Sequence, residues 1–152
     1  MANRAFANQQ FTLVKGRVTL WARITIGATG APTLTKFNPV DATFSSAPTT
    51  GTGPYAIGCE GIKSITRNAT GTYTVVLQDR YRRLLSLGLT VANATGAPTA
   101  FGLGLWTTGT DVTSASAPAV KFSTLSSTGT VADPASGDVV NLTFELQSAG
   151  VI

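Results

Sequence analysis

The stretch RVTLWARITI, residues 17–26, places Val18, Leu20, Ala22, Ile24 and Ile26 in alternation with Thr19, Trp21, Arg23 and Thr25. Side chains alternate across a strand, so a period of two argues for a β-strand with one apolar face and one mixed face. The apolar set is expected to face a core. Trp21 then points the other way, and that position has two readings: a second buried layer, or a contact surface, where Trp is enriched. The same period returns near the end of the sequence, where Val140, Leu142, Phe144 and Leu146 alternate with Asn141, Thr143, Glu145 and Gln147.

Between these strands, Ile62–Arg67 and Thr72–Leu77 are β-rich runs separated by Asn68-Ala69-Thr70-Gly71. A four-residue loop that opens with Asn and closes with Gly predicts a hairpin built on a type I turn. Asp79–Leu85 is expected to form a turn or two of helix capped by Asp79, which would put Arg80 and Arg83 on one face. Strand then resumes over Leu85–Val91, and further strands are expected at Phe11–Lys15, Thr33–Phe37, Ala42–Ser45, Ala100–Thr107, Ala119–Leu125 and Val139–Gln147. Gly- and Pro-rich segments separate them, the longest being residues 27–60, where 46–54 reads as loop. Trp106 follows Phe101, Leu103 and Leu105 and reads as core. The hexapeptide Ala-Thr-Gly-Ala-Pro-Thr occurs at 28–33 and again at 94–99, too few copies for a solenoid. Together these features predict an all-β chain. Its expected form is an antiparallel β-sandwich or jelly-roll-like single domain over residues 11–152, with long loops and at most one short helix, preceded by a polar arm over residues 1–10.

Composition narrows the chemistry. Of 152 residues, 12% are charged, about half the usual share, while 43% are apolar; the chain can bury a core yet carries a weakly charged, hydroxyl-rich surface. Such a surface gives little repulsion between copies and suits coverage by neighbouring subunits. The net charge of +4 comes from dispersed basic residues apart from Arg80, Arg82 and Arg83, which does not form the stripe of a nucleic-acid binder. Arg82 and Arg83 lead into Leu84 and Leu85, and this cluster reads either as a solvated face or as a contact for carboxylates. Histidine is absent, which removes Ser-His-Asp and Cys-His arrangements and most zinc sites. Cys59 stands alone, so no intrachain disulfide is expected and the thiol reads as a small buried residue. Asp111, Asp133 and Asp138 sit in turn-like settings, Glu145 lies on the outward register of its strand, and no calcium-loop spacing occurs. Neither Gly51-Thr52-Gly53 nor Gly102-Leu103-Gly104 has the context of a phosphate loop. The expectation is a protein that is not an enzyme, with no catalytic residue, no metal site and no cofactor. The opening ten residues hold no apolar run, and no stretch approaches a membrane span; synthesis in a reducing cytoplasm is the expectation, with no membrane partner.

The segment GIKSITRNATGTYTVVLQDRY at 61–81 resembles a pattern found in small virion proteins of tailed bacteriophages. Its elements here are Gly61, Arg67, Thr70-Gly71, the Tyr73-Thr74-Val75-Val76-Leu77 strand and Asp79-Arg80-Tyr81. The strand holding Trp21, Arg23 and Ile24 before Gly27, and the closing Asp138-Val139-Val140 strand, fit the same proteins. The best-fitting class is the capsid cement or decoration proteins. The resemblance implies a β-sandwich subunit that assembles as a homotrimer, binds the major capsid protein on the outer surface of the head where capsomers meet, and stabilises the shell without an active site. Trp21, Arg23, Arg80 and Arg83, with Arg4 and Phe6 of the arm, are the expected contact residues. Two other functions compete: a receptor- or sugar-binding module of a tail fibre or spike, and a tail-tube or connector protein that would form rings.

Overall fold

The computed structural model describes residues 16–34, 61–93, 100–106 and 108–148. Among the described residues eight strands run in chain order: β1 (Arg17–Ile26), β2 (Pro32–Leu34), β3 (Ile62–Ala69), β4 (Thr72–Leu77), β5 (Tyr81–Ala92), β6 (Ala100–Trp106), β7 (Ala119–Ser126) and β8 (Val139–Ser148). They form two four-stranded sheets, ordered β2-β1-β8-β5 and β3-β4-β7-β6, and every pairing is antiparallel. The expected all-β, sandwich-like architecture is the observed one. The only helical piece among the described residues is a single 3-10 turn, Ala28–Gly30, built from the first copy of the repeated hexapeptide.

β1 spans the ten residues that the alternation marked. Leu20, Ala22, Ile24 and Ile26 are buried, Val18 packs partly buried against them, and Trp21 is 48% exposed. Across the first sheet the apolar registers line up in rows: Val18, Leu146 and Leu84; Leu20, Phe144 and Leu87; Ala22, Leu142 and Leu89; Ile24, Val140 and Val91. The second sheet answers with Ile62, Tyr73, Val75, Leu77, Val120 and Phe122, and both sets share one core. The Tyr73 and Phe122 rings stack with centroids 5.5 Å apart. Each such apolar side chain contributes about 1.5–3 kcal/mol on burial, so the core rather than any single bond holds the sheets together.

The structure corrects three local expectations. No helix forms after β4: Tyr81 opens a twelve-residue strand, β5, paired along β8, so Asp79 caps nothing helical and Arg80 and Arg83 do not share a helical face. The physical reason is the partner. The leucines and Val91 of this segment can bury against the continuous apolar register of β8, which outweighs the local cap signal. Two bulges hide the alternation in the sequence. The register skips Arg82 between Tyr81 and Arg83, and Leu85 between Leu84 and Ser86; Leu85, the extra residue, is 37% exposed. The β3–β4 hairpin also differs, since Ala69 pairs with Thr72 and leaves a two-residue turn, Thr70-Gly71, with a further bulge at Asn68. Finally, the strand expected over Thr33–Phe37 begins one residue earlier, as β2. The arm with Arg4 and Phe6, the strands expected at Phe11–Lys15 and Ala42–Ser45, the 46–54 loop, Cys59, the second hexapeptide at 94–99 and the side chain of Trp106 lie outside the described residues.

One polar assembly pins the end of the sandwich. Arg67 occupies the inward register of β3, opposite Tyr73, which in turn lies opposite Phe122. Its guanidinium donates to Asp133, Nε at 3.0 Å and an Nη at 2.7 Å. Asp133 also accepts from the Tyr73 hydroxyl at 2.8 Å and from the Gly71 N–H at 2.7 Å. Arg67 holds the Asp133 carboxyl below the usual carboxylate range, helped by the Gly71 and Tyr73 donors and opposed by burial. Burial, reinforced by the hydrogen bond to Asp133, pushes the Tyr73 phenol well above its ordinary value. Two glycines make this closeness possible. A Cβ on Gly30 would lie 2.5 Å from Asp133 Cγ, and one on Gly71 would lie 2.7 Å from the Ala132 backbone; both have positive φ.

Candidate interaction face

The outward register of the first sheet is a grid fixed by strand pairing. Its rows read Arg17, Gln147, Arg83; Thr19, Glu145, Ser86; Trp21, Thr143, Gly88; Arg23, Asn141, Thr90; and Thr25, Val139, Ala92. Most positions carry hydroxyl, amide or very small side chains, and Trp21 is the one large aromatic group among these fifteen. Its row descends from indole to Thr to Gly, so the indole has small neighbours along that row and is about half exposed. Thr143 and Gly88 are exposed as Trp21 is.

The charged residues on this face are partly committed. Glu145 forms an ion pair with Arg17 and accepts from the Ser86 hydroxyl at 3.0 Å. Arg17 first, then Ser86, lowers the Glu145 carboxyl below its ordinary value. This bridge runs across three strands, from β1 over β8 to β5, and ties together the upper rows of the face.

Of the six contact residues expected from the sequence, the structure gathers three on this one face: Trp21, Arg23 and Arg83. Arg23 is half-buried in the row next to Trp21, and Arg83 is exposed two rows to the other side, at the edge strand. Arg80 is exposed but precedes β5 and belongs to no row of the grid. Arg4 and Phe6 lie outside the described residues. Sequence reasoning missed Arg67 with Asp133, and the Arg17–Glu145–Ser86 bridge. A signal for the first did exist: Arg67 follows Ile65 at a spacing of two, on the register that faces the core, where a guanidinium requires a counter-ion.

Chemically the face offers stacking and hydrogen bonding. Among the described residues no group of three or more His, Cys, Asp or Glu is placed to hold a metal ion, and no helix is long and apolar enough to cross a membrane. No family model, no curated protein and no solved structure matches the chain.

Proposed function

We propose that this chain is a capsid cement, or decoration, protein of a tailed-bacteriophage head: a non-catalytic homotrimer that binds the major capsid protein on the outer surface between capsomers. The observation that carries this reading is Trp21, half-exposed on a three-stranded face in which most side chains are hydroxyl, amide or very small. Covering the exposed part of an indole removes on the order of 100 Å² from water, worth about 2–3 kcal/mol per subunit. Three such contacts in a trimer act together, because the second and third bind at high effective concentration. The low charge of the chain favours close approach of neighbours, and the resemblance over residues 61–81 supplies the class of particle.

The test is co-sedimentation of the purified protein with capsids that lack it. Saturable binding is expected, weakened strongly by Trp21→Ala. A stable monomer that does not bind capsids contradicts the proposal.

A second reading draws on the same face. An aromatic ring beside Thr143, Asn141 and Arg23 can stack on a sugar ring while its neighbours hydrogen-bond the hydroxyls, as in a receptor-binding module. Saturable glycan binding lost in Trp21→Ala, with no binding to capsids, would favour that module.

A further inference from the structure

A second surface lies at the edge of the first sheet. The Tyr81 N–H donates to the Val112 carbonyl at 2.7 Å, and Asp111 bridges to Ala119, so the 108–113 segment is fastened across the start of β5. Between them opens a cleft of about 530 Å³, with Arg82, Arg83 and Leu84 on one side and residues 108–113 on the other. A regular strand would send Arg82 and Arg83 to opposite faces. The bulge at Arg82 re-aims one of them, and both line this cleft. Lys121 adds a third cation behind the facing wall: a side chain at Gly109 would come within 3.1 Å of its Nζ, so the ammonium packs against Gly109 itself.

Of the two nearby acids, Glu145 is paired with Arg17, and Asp111 keeps its negative charge in the cleft wall while held by neutral donors of its own loop, so two arginines face one carboxylate. The Asp111 Oδ1 accepts from the Thr113 hydroxyl at 2.7 Å, the Thr113 N–H at 2.9 Å and the Ser114 N–H at 3.2 Å. Glu145, one row from Arg83, is held by Arg17 and Ser86. Among the described residues neither Arg82 nor Arg83 has an ion-pair partner.

We propose that this cleft receives carboxylate side chains from an acidic segment of a partner protein. Two adjacent guanidinium forks present planar, paired donors suited to carboxylates. Leu84, half-buried, gives the lining apolar ground for the methylene stems that carry those carboxylates. A nucleic-acid backbone is the poorer fit, because it calls for a stripe of free positive charge, and Arg17 and Arg67 are neutralised by Glu145 and Asp133. What remains is compact, matching a short acidic stretch rather than an extended polyanion. The site is separate from the Trp21 row and does not depend on the capsid reading.

The experiment titrates the full chain into fluorescein-labelled hexaglutamate at low salt and follows anisotropy, with a labelled thymidine hexanucleotide as the competing polyanion. Saturable peptide binding is expected. It should weaken at least about tenfold in the Arg82→Gln/Arg83→Gln double variant, by a smaller factor in Arg82→Gln alone, and least in Arg80→Gln, whose side chain does not line the cleft and acts only through long-range charge. Thermal melting of each variant checks that the fold is intact. Equal peptide binding by the wild type and a folded double variant, no saturable binding at millimolar peptide, or tighter binding of the oligonucleotide than of the peptide each overturns the proposal. Arginine-dependent peptide binding upholds it whether or not the protein binds capsids.

Discussion

Arg67 and the Arg82–Arg83 pair are the same chemistry in opposite states. Arg67 stands on the inward register of a strand, and its charge is met by Asp133, which also takes the Tyr73 hydroxyl and the Gly71 N–H. Arg82 and Arg83 stand on an edge strand in an open cleft, while the nearby acids Asp111 and Glu145 accept from other donors. A closed charge assembly joins segments of one chain, because opening it leaves part-buried donors and acceptors unmatched. An open one adds little to folding and leaves its charge for association. The Trp21 face belongs with the open class: its exposed indole is surface that folding did not cover.

Substitutions can break this contrast. Leu20→Ala, at a fully buried core position, sets the scale and should cost about 2–5 kcal/mol in chemical denaturation. The closed assembly should come next: Asp133→Asn should cost roughly 1–3 kcal/mol, because Arg67 loses its counter-charge and the Tyr73 and Gly71 donors lose a charged acceptor. The open assembly should sit at the bottom, with Arg82→Gln and Arg83→Gln each within about 0.5 kcal/mol of wild type. A Trp21→Ala loss as large as that of Asp133→Asn would place the indole among the folding contacts and remove it from the open class.

Acid sharpens the same comparison. The Asp133 carboxyl is held below its ordinary value in the folded chain, so its contribution to stability is fully present above the ordinary carboxylate range near pH ~4. That contribution fades as the pH falls through the depressed folded value. Glu145 and Asp111 are shifted in the same direction and add to the acid loss. Melting followed from neutral pH downward should therefore fall more steeply in wild type than in Asp133→Asn, which has no carboxylate there to protonate. Parallel curves would mean that the Asp133 network contributes nothing through its charge.

The two regions also differ in how far the sequence disclosed them. β1 and β8 carry unbroken alternation, and the residues marked as inward, Leu20, Ala22, Ile24, Val140, Leu142, Phe144 and Leu146, are buried. Trp21 was placed outward by the same period. β5 was legible only in part, because bulges at Arg82 and Leu85 shift the alternation, and Asp79 followed by three arginines within four residues imitates a capped helix. The Arg82–Arg83 cleft was hidden for the same reason, since a bulge is a property of the pairing and β5 alone does not display it. In the sequence alone Asp133 has only the look of a turn residue. Its partner Arg67 is distant in sequence, and only the fold brings Gly30, Gly71 and Tyr73 to the same carboxylate.

The capsid role stands or falls with the Trp21 face as a docking surface that stabilises a shell. The most direct measurement is the melting temperature of capsids lacking this protein, taken alone, with the wild-type chain and with Trp21→Ala. A ligand that binds only the assembled shell stabilises it by about 2.7 kcal/mol per site at one hundred times Kd, repeated over every occupied site. The account predicts that the wild-type protein raises capsid melting and that Trp21→Ala, folded and at the same concentration, does not. Saturable binding of the wild-type protein with capsid melting unchanged would contradict it.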